Sequence, residues 1–220
     1  MVRHIDGVIF DLDGVLVDTA RFHFQAWQRL AESWNITFTQ KDNERLKGVS
    51  RRASLEILLS LGDVKLSENE ILEAMDRKNR WYVELIGQMN SEGLLPGALD
   101  LLLELKRAGI KTALGSASKN APLILERTGL AEHLDAVVDG NRTSRAKPDP
   151  EVFLLAAKDL NLSPLNCIVF EDAAAGIEAA INAGMRTVGV GNPAQLKAAN
   201  LVIPSLEEIE WKTLRLQLET

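Results

Sequence analysis

One cysteine, one tyrosine and three histidines in 220 residues leave little material for several kinds of chemistry. Cys167 has no second thiol to pair with, so no disulfide can form within the chain, and a reducing, cytoplasmic compartment is the expectation. It lies in the apolar run Cys167-Ile168-Val169-Phe170, which reads as a buried strand thiol rather than a nucleophile. No apolar stretch approaches the roughly 20 residues of a membrane span. Asp6, Asp11 and Asp13 also interrupt the N-terminal segment where a signal peptide needs an unbroken apolar run. Positive charge is short as well: 25 Lys and Arg against 31 Asp and Glu give a formal net charge of −6. That is opposite to the basic surface that nucleic acid binding requires. Neither membrane nor nucleic acid is an expected partner, and an anionic ligand would need a few placed cations.

What is present is the composition of a folded globular chain, 46% hydrophobic and 25% charged. Its organising stretch is Val8-Ile9-Phe10-Asp11-Leu12-Asp13-Gly14-Val15, an apolar strand that stops at two carboxylates two positions apart. Residues i and i+2 leave a strand on the same side. Asp11 and Asp13 therefore face one small volume beyond the strand end, where open α/β sheets bind ligands. On these residues alone, a hydrated acidic turn explains the pattern equally well.

From about residue 18 to 90 the chain reads as helices only. The spacing predicts one over 21–34 with His23, Ala26, Trp27, Leu30, Ala31 and Trp34 in line, a short one over 42–46, and one over 50–61 capped by Ser50. The longest follows Ser67, which with Glu70 forms a capping box. Its apolar stripe runs Ile71, Met75, Tyr82, Leu85 and Met89, with Lys78 at the position that completes it. After Leu94, helices and strands alternate: strands over 110–115, 136–138, 167–170, 186–190 and 201–203 are the expected ones, with helices between. Asp149-Pro150 reads as N-cap and first helical residue of the helix that ends near Leu160. This alternation implies an α/β fold with a Rossmann-like parallel sheet, interrupted by an all-helical insertion. The expected domains are 1–15 with 92–220 as a discontinuous core, and 16–91 as a helical cap.

A parallel sheet places all strand C-termini on one edge. Asp11 and Asp13, Ser116, Lys147 and the pair Glu171-Asp172 then converge from four strand ends. Crowded carboxylates repel and protonate unless a cation sits among them, and oxygen donors suit Mg²⁺ beside a substrate phosphate. Ser116 and Lys147 fit a phosphate as hydrogen-bond donor and charge. Singly, each of these residues reads more readily as solvent-exposed loop decoration.

At this point the chain resembles the haloacid dehalogenase superfamily. Asp11-Leu12-Asp13-Gly14-Val15, Leu114-Gly115-Ser116, Lys147-Pro148-Asp149-Pro150 and Glu171-Asp172-Ala173-Ala174-Ala175-Gly176-Ile177 fit its motifs in order along the whole chain. The resemblance implies that Asp11 is a nucleophile forming an aspartyl phosphate and Asp13 a general acid/base. It implies Mg²⁺ held by Asp11, the backbone carbonyl of Asp13 and Asp172, with Glu171 close by, and phosphate binding by Ser116, Ala117 and Lys147.

The helical insertion resembles that of β-phosphoglucomutases in Thr19, His23, Lys47-Gly48-Val49-Ser50-Arg51, Ser54 and Arg77-Lys78-Asn79, as does the core run Ser116-Ala117-Ser118-Lys119-Asn120. Thr19, His23, Lys47, Gly48, Ser54, Lys78, Ser118 and Asn120 then become substrate-binding candidates. Arg51, whose fork matches phosphate geometry, becomes the holder of a distal phosphate; Arg52 reads as solvated. A satisfied core histidine and a snorkelling lysine are the plainer readings of His23 and Lys78. Two such misfits in one insertion favour a pocket. The implied reaction interconverts β-D-glucose 1-phosphate and glucose 6-phosphate through the 1,6-bisphosphate, with sugar phosphates and bisphosphates as the only partners, a cap that closes against water, and a monomer as the family default. A sugar-phosphate phosphatase with the same core is the rival, and a non-catalytic relative is disfavoured by the intact set of site residues. The segment Asp139 to Ala146, with Arg142 and Arg145, maps onto no motif.

Overall fold

The computed structural model describes residues 4–46, 49–207 and 209–219. Lys47 and Gly48 lie outside the described residues. In chain order the elements are β1 (Gly7–Phe10), α1 (Ala20–Glu32), α2 (Gln40–Glu44), α3 (Arg51–Leu61), α4 (Glu68–Ile86), α5 (Ala98–Arg107), β2 (Lys111–Gly115), α6 (Ala121–Thr128), β3 (Ala136–Val138), α7 (Glu151–Asp159), β4 (Cys167–Glu171), α8 (Ala174–Asn182), β5 (Arg186–Val190), β6 (Leu201–Ile203) and α9 (Trp211–Glu219), with 3₁₀ turns before α5, β3 and β4. They group into two compact units, Met1–Asp18 with Asn90–Thr220, and Thr19–Met89.

The first unit is a six-stranded sheet in the order β3-β2-β1-β4-β5-β6 with every pairing parallel. Strands covered on both faces read as unbroken apolar runs, and all of β1 and β4 is buried. Ile9, Ala113 and Val169 are level with one another across the three central strands. With Val138 they meet Val152, Phe153, Ala156 and Ala157 of α7 and Ala179 and Ala180 of α8. Cys167 belongs to this cluster, fully buried, and burial pushes its thiol up to about 11, as expected of an inert strand residue. Past β1 the chain curls through Gly14 and leaves the unit along a strand-like path paired with its return: Asp18 N–H donates to Gly93 O at 3.0 Å and Leu95 N–H to Leu16 O at 3.0 Å.

The second unit packs α1 and α3 on α4 around Trp27, Leu30, Ala31, Ile36, Phe38, Leu55, Leu58 and Ala74. Ser50 caps α3 by accepting from Ala53 N–H, and Ser67 and Glu70 form the expected capping box on α4. The buried line of α4 is Ala74, Lys78, Tyr82 and Ile86.

Two expectations are corrected and one element is added. The N-cap position of α7 is Pro150, not Asp149, whose Oδ1 instead accepts from Glu151 N–H at 2.9 Å. Helix α2 starts at Gln40 because Thr39 and Asp42 make a capping box upstream of the expected start. Helix α9 is not among the elements that the sequence pattern predicts. Leu214, Leu216 and Leu218 alternate like a strand, yet Trp211, Leu214 and Leu218 are the buried positions and Leu216 is 62% exposed.

Gly97 and Gly109 both have positive φ, 79° and 71°, but a Cβ at Gly97 would lie 2.1 Å from Leu206 O, whereas one at Gly109 meets nothing within 4 Å. Gly109→Ala should lose about 1 kcal/mol of stability from backbone strain alone. Gly97→Ala should lose roughly 2 kcal/mol more, because backbone must move. Urea unfolding of the two variants checks the difference.

Candidate active site

Strand order reverses between β1 and β4, the topological switch point at which open α/β sheets place their ligands. Asp11 N–H donates to Phe170 O at 2.9 Å, carrying the pairing one residue beyond β1 and setting Asp11 beside the end of β4. Lys147 arrives from the loop before α7. Its Nζ donates to Asp11 Oδ1 at 2.6 Å and to Glu171 Oε2 at 2.7 Å, and it lies 4.8 Å from the centre of the Phe153 ring. The three charged side chains are largely buried, Glu171 to within 2% of completely.

Glycines make room for these carboxylates. Glu171 Oε1 accepts from Ala173 N–H at 3.1 Å, so the acid lies against the start of α8, where a negative charge is favoured. A Cβ on Gly176 would sit 2.1 Å from Glu171 Oε2. Gly14, with φ +80°, leaves the same kind of space for Asp172: a Cβ there would meet its Oδ2 at 2.1 Å. In the sequence Gly176 carries no role beyond its place in the fourth motif, where it ends a run of small residues directly after two acids.

Oxygen atoms of Asp11, Glu171 and Asp172 lie within 4.8 Å of one another. Among the described residues the carboxylate of Asp13 is not part of that trio. Three carboxylates are gathered here around a single ammonium. All-oxygen donors are hard ligands, so the residues fit a divalent metal ion. Burial, then the charge of Asp11, pushes Glu171 up to about 8. Burial alone would lower Lys147, but Asp11 and Glu171 outweigh it and hold the ammonium above its ordinary range.

Ser116 follows β2 on the same edge of the sheet. It is 1% exposed, its N–H donates to Val138 O at 2.9 Å, and its Oγ accepts from Ser118 N–H at 3.1 Å. The Ser118 hydroxyl accepts from Asn120 N–H at 3.3 Å, and Asn120 occupies the N-cap position of α6. The two arginines of the unmapped segment are engaged elsewhere. Arg142 pairs with Asp159 at 2.5 Å and donates to Val137 O at 2.8 Å, and Arg145 pairs with Asp149 at 3.0 Å.

In the second unit the two misfits of the apolar stripes meet each other. Lys78 is 2% exposed and its Nζ donates to His23 Nδ1 at 2.9 Å. It also lies 4.7 Å from each of the Trp27 and Tyr82 rings, and His23 stacks on Tyr82 at 4.1 Å. Lys78 is therefore not a snorkelling lysine. Burial, then the charges of Lys78 and Arg51, holds His23 well below its usual pKa. Arg51 is exposed and donates to Asn79 Oδ1 at 2.9 Å, and Arg52 pairs with Glu68 at 2.5 Å and with Glu56 at 3.1 Å. Thr19 and Ser54 are buried, at the start of α1 and in the first turn of α3.

Residues 5–184 match the family model described as haloacid dehalogenase-like hydrolase. The chain is 45% identical over 219 residues to a β-phosphoglucomutase of Bacillus subtilis, covering 96% of this chain and 97% of that one. It is 35% identical over 214 residues to a phosphorylated carbohydrates phosphatase of Thermotoga maritima, covering 93% and 96%. The crystal structure of a β-phosphoglucomutase from Clostridium difficile superposes with a TM-score of 0.89 at 44% identity, covering 97% of each chain. No described helix is long and apolar enough to cross a membrane.

The raised pKa of Glu171 has a definite sign. Its contribution to stability is complete below its ordinary value of 4.5 and is lost as pH rises through about 8. In metal-free solution the urea midpoint should therefore fall between about pH 4.5 and pH 8 and level off above, with a slope of at most about 1.4 kcal/mol per pH unit. Glu171→Gln should flatten that slope, and saturating divalent cation should do the same. A slope that persists in Glu171→Gln would assign it to another group.

Proposed function

The chain belongs to the haloacid dehalogenase-like hydrolase family, and from that premise we propose that it is a phosphomutase interconverting β-D-glucose 1-phosphate and glucose 6-phosphate. The phosphoryl-transfer part of the reading is carried by the buried Lys147 bridge between Asp11 and Glu171, and its mutase part by the 45% identity to the Bacillus subtilis β-phosphoglucomutase. The bridge holds a carboxylate oxygen of Asp11 at the end of β1 with a fixed positive charge beside it. Asp11 is the phosphoryl carrier and Asp13 the acid/base. In the first transfer the C6 hydroxyl oxygen of the sugar attacks the phosphorus of phospho-Asp11, the bond from phosphorus to the Asp11 oxygen breaks, and the hydroxyl proton passes to Asp13. In the second, an Asp11 oxygen attacks the 1-phosphoryl group of the bisphosphate, and the departing O1 takes the proton back from Asp13. Lys147 offsets charge on the transferring group, and Ser116 with the Ala117 backbone binds it.

Asp11, the Asp13 carbonyl, Asp172 and Glu171 are the residues that would hold Mg²⁺, which supplies charge neutralisation for the phosphoryl oxygens. A mutase must also recognise the phosphate that is not reacting. We assign that task to Arg51, with His23, Lys78, Thr19, Ser54 and the Lys47-Gly48 pair as the surrounding substrate-binding residues, and Ser118 and Asn120 as those of the first unit. Cytoplasmic location and a monomeric state complete the reading.

With Mg²⁺, β-D-glucose 1-phosphate and a trace of the bisphosphate, glucose 6-phosphate should form much faster than inorganic phosphate. Asp11→Asn should abolish both. Arg51→Ala should lower kcat/KM for the mutase reaction by about tenfold to a hundredfold, the worth of a charged hydrogen bond. Phosphate release faster than isomerisation would identify a sugar-phosphate phosphatase instead, the activity named for the Thermotoga maritima relative.

A further inference from the structure

Beside the loop after β2 runs the first part of the loop after β3, Asp139 to Asn141, three residues that belong to none of the four motifs. The two are joined along their backbones. Ser116 N–H donates to Val138 O at 2.9 Å, Gly140 N–H donates to Ser118 O at 3.1 Å, and Asn141 Nδ2 donates to Lys119 O at 3.0 Å. Asn141 is itself fixed: its backbone N–H and its Nδ2 reach the two carboxylate oxygens of Asp139, each at 3.0 Å. Asp139 is a buried acid, 6% exposed. Contact at Gly140 is so close that a Cβ there would lie 2.2 Å from Ala117 O.

We infer that Asp139, Gly140 and Asn141 are positioning residues that set the backbone of the Ser116–Lys119 loop and thereby aim the Ser116 hydroxyl at the phosphoryl group; this rests on reading Ser116 as a phosphoryl-binding group. Peptide geometry supplies the link. Across a trans peptide the carbonyl and the next N–H point in opposite directions. Gly140, having no Cβ, lets Ala117 O lie against it, and its N–H holds Ser118 O at 3.1 Å; with Ala117 O on that side the following Ser118 N–H points the other way and donates to Ser116 Oγ at 3.1 Å. Ser116 Oγ then has an acceptor lone pair engaged, and its own hydrogen remains as the donor. Asp139 acts at one remove, since both of its oxygens hold Asn141.

The test uses Asn141→Ala, Gly140→Ala and Ser116→Ala, with KM, kcat, the inhibition constant of inorganic phosphate, and the thermal midpoint measured for each. Ser116 meets the transferring phosphoryl group in the transition state, so misplacing its hydroxyl lowers kcat as well as weakening free phosphate. Asn141→Ala should raise the phosphate inhibition constant and lower kcat, each about threefold to tenfold, the range of one neutral hydrogen bond. Its thermal midpoint should stay close to that of the parent. Gly140→Ala should show a larger shift of the same kind. If Gly140→Ala fails to fold, Asn141→Ala alone decides the matter. An unchanged phosphate inhibition constant in Asn141→Ala, while Ser116→Ala weakens phosphate, would overturn the positioning role alone. No weakening in Ser116→Ala would overturn the phosphoryl-binding reading beneath it, and the proposal with it.

Discussion

The ammonium of Lys147 lies between Asp11 Oδ1 and Glu171 Oε2, and the arrangement of the first unit can be traced from that bridge. Two carboxylates from adjacent strand ends cannot both stay ionised in a buried place without a cation between them. Lys147 supplies one, and Asp172 brings a third carboxylate to the group, a donor set that fits a metal ion. The strand order that brings β1 beside β4, the glycines at 14 and 176 that give the carboxylates space, and the start of α8 that receives Glu171 all serve this one electrostatic arrangement. Burying such charges costs several kcal/mol per ion unless they are well paired. A chain that needed only stability would fill this volume with apolar side chains.

The helical unit repeats the lesson on a smaller scale. Its core is ordinary, built from Trp27, Leu30, Leu55 and Leu58, but the buried line of α4 contains Lys78 where a leucine would pack more simply. Lys78 meets His23 Nδ1 and the rings of Trp27 and Tyr82, and burial with the nearby positive charges holds the pKa of His23 well down, which suits an acceptor. Each misfit residue supplies what the other needs. A pair of this kind favours a functional role over packing.

How much of this was legible depended on whether the signal was local. Strand β1 with Asp11 and Asp13, the capping box of Ser67 and Glu70, and the βα alternation after Leu94 all announce themselves within a few residues, and the helices and strands form there. Convergence of Lys147 with Asp11 and Glu171 followed from parallel topology alone. Helix α9 was hidden because its leucines alternate, a pattern that mimics a strand unless Trp211 is counted as the first buried position. The partners of Arg142 and Arg145 were also invisible: both arginines are neutralised by acids of α7 or its start, contacts set by the fold of a loop rather than by any periodicity. The steric need for glycine at 176 and 140 likewise arises only when a distant side chain or backbone arrives beside it.

The most direct test of the account is to identify the residue that carries the phosphoryl group. The enzyme is mixed with Mg²⁺ and glucose 1,6-bisphosphate labelled in its phosphates, quenched in acid within the first turnover, digested, and the labelled peptide sequenced by mass spectrometry. The account predicts a hydroxylamine-labile acyl phosphate on Asp11, absent in Asp11→Asn. Label on Ser116, or product formation with no labelled protein under conditions that preserve acyl phosphates, would contradict it.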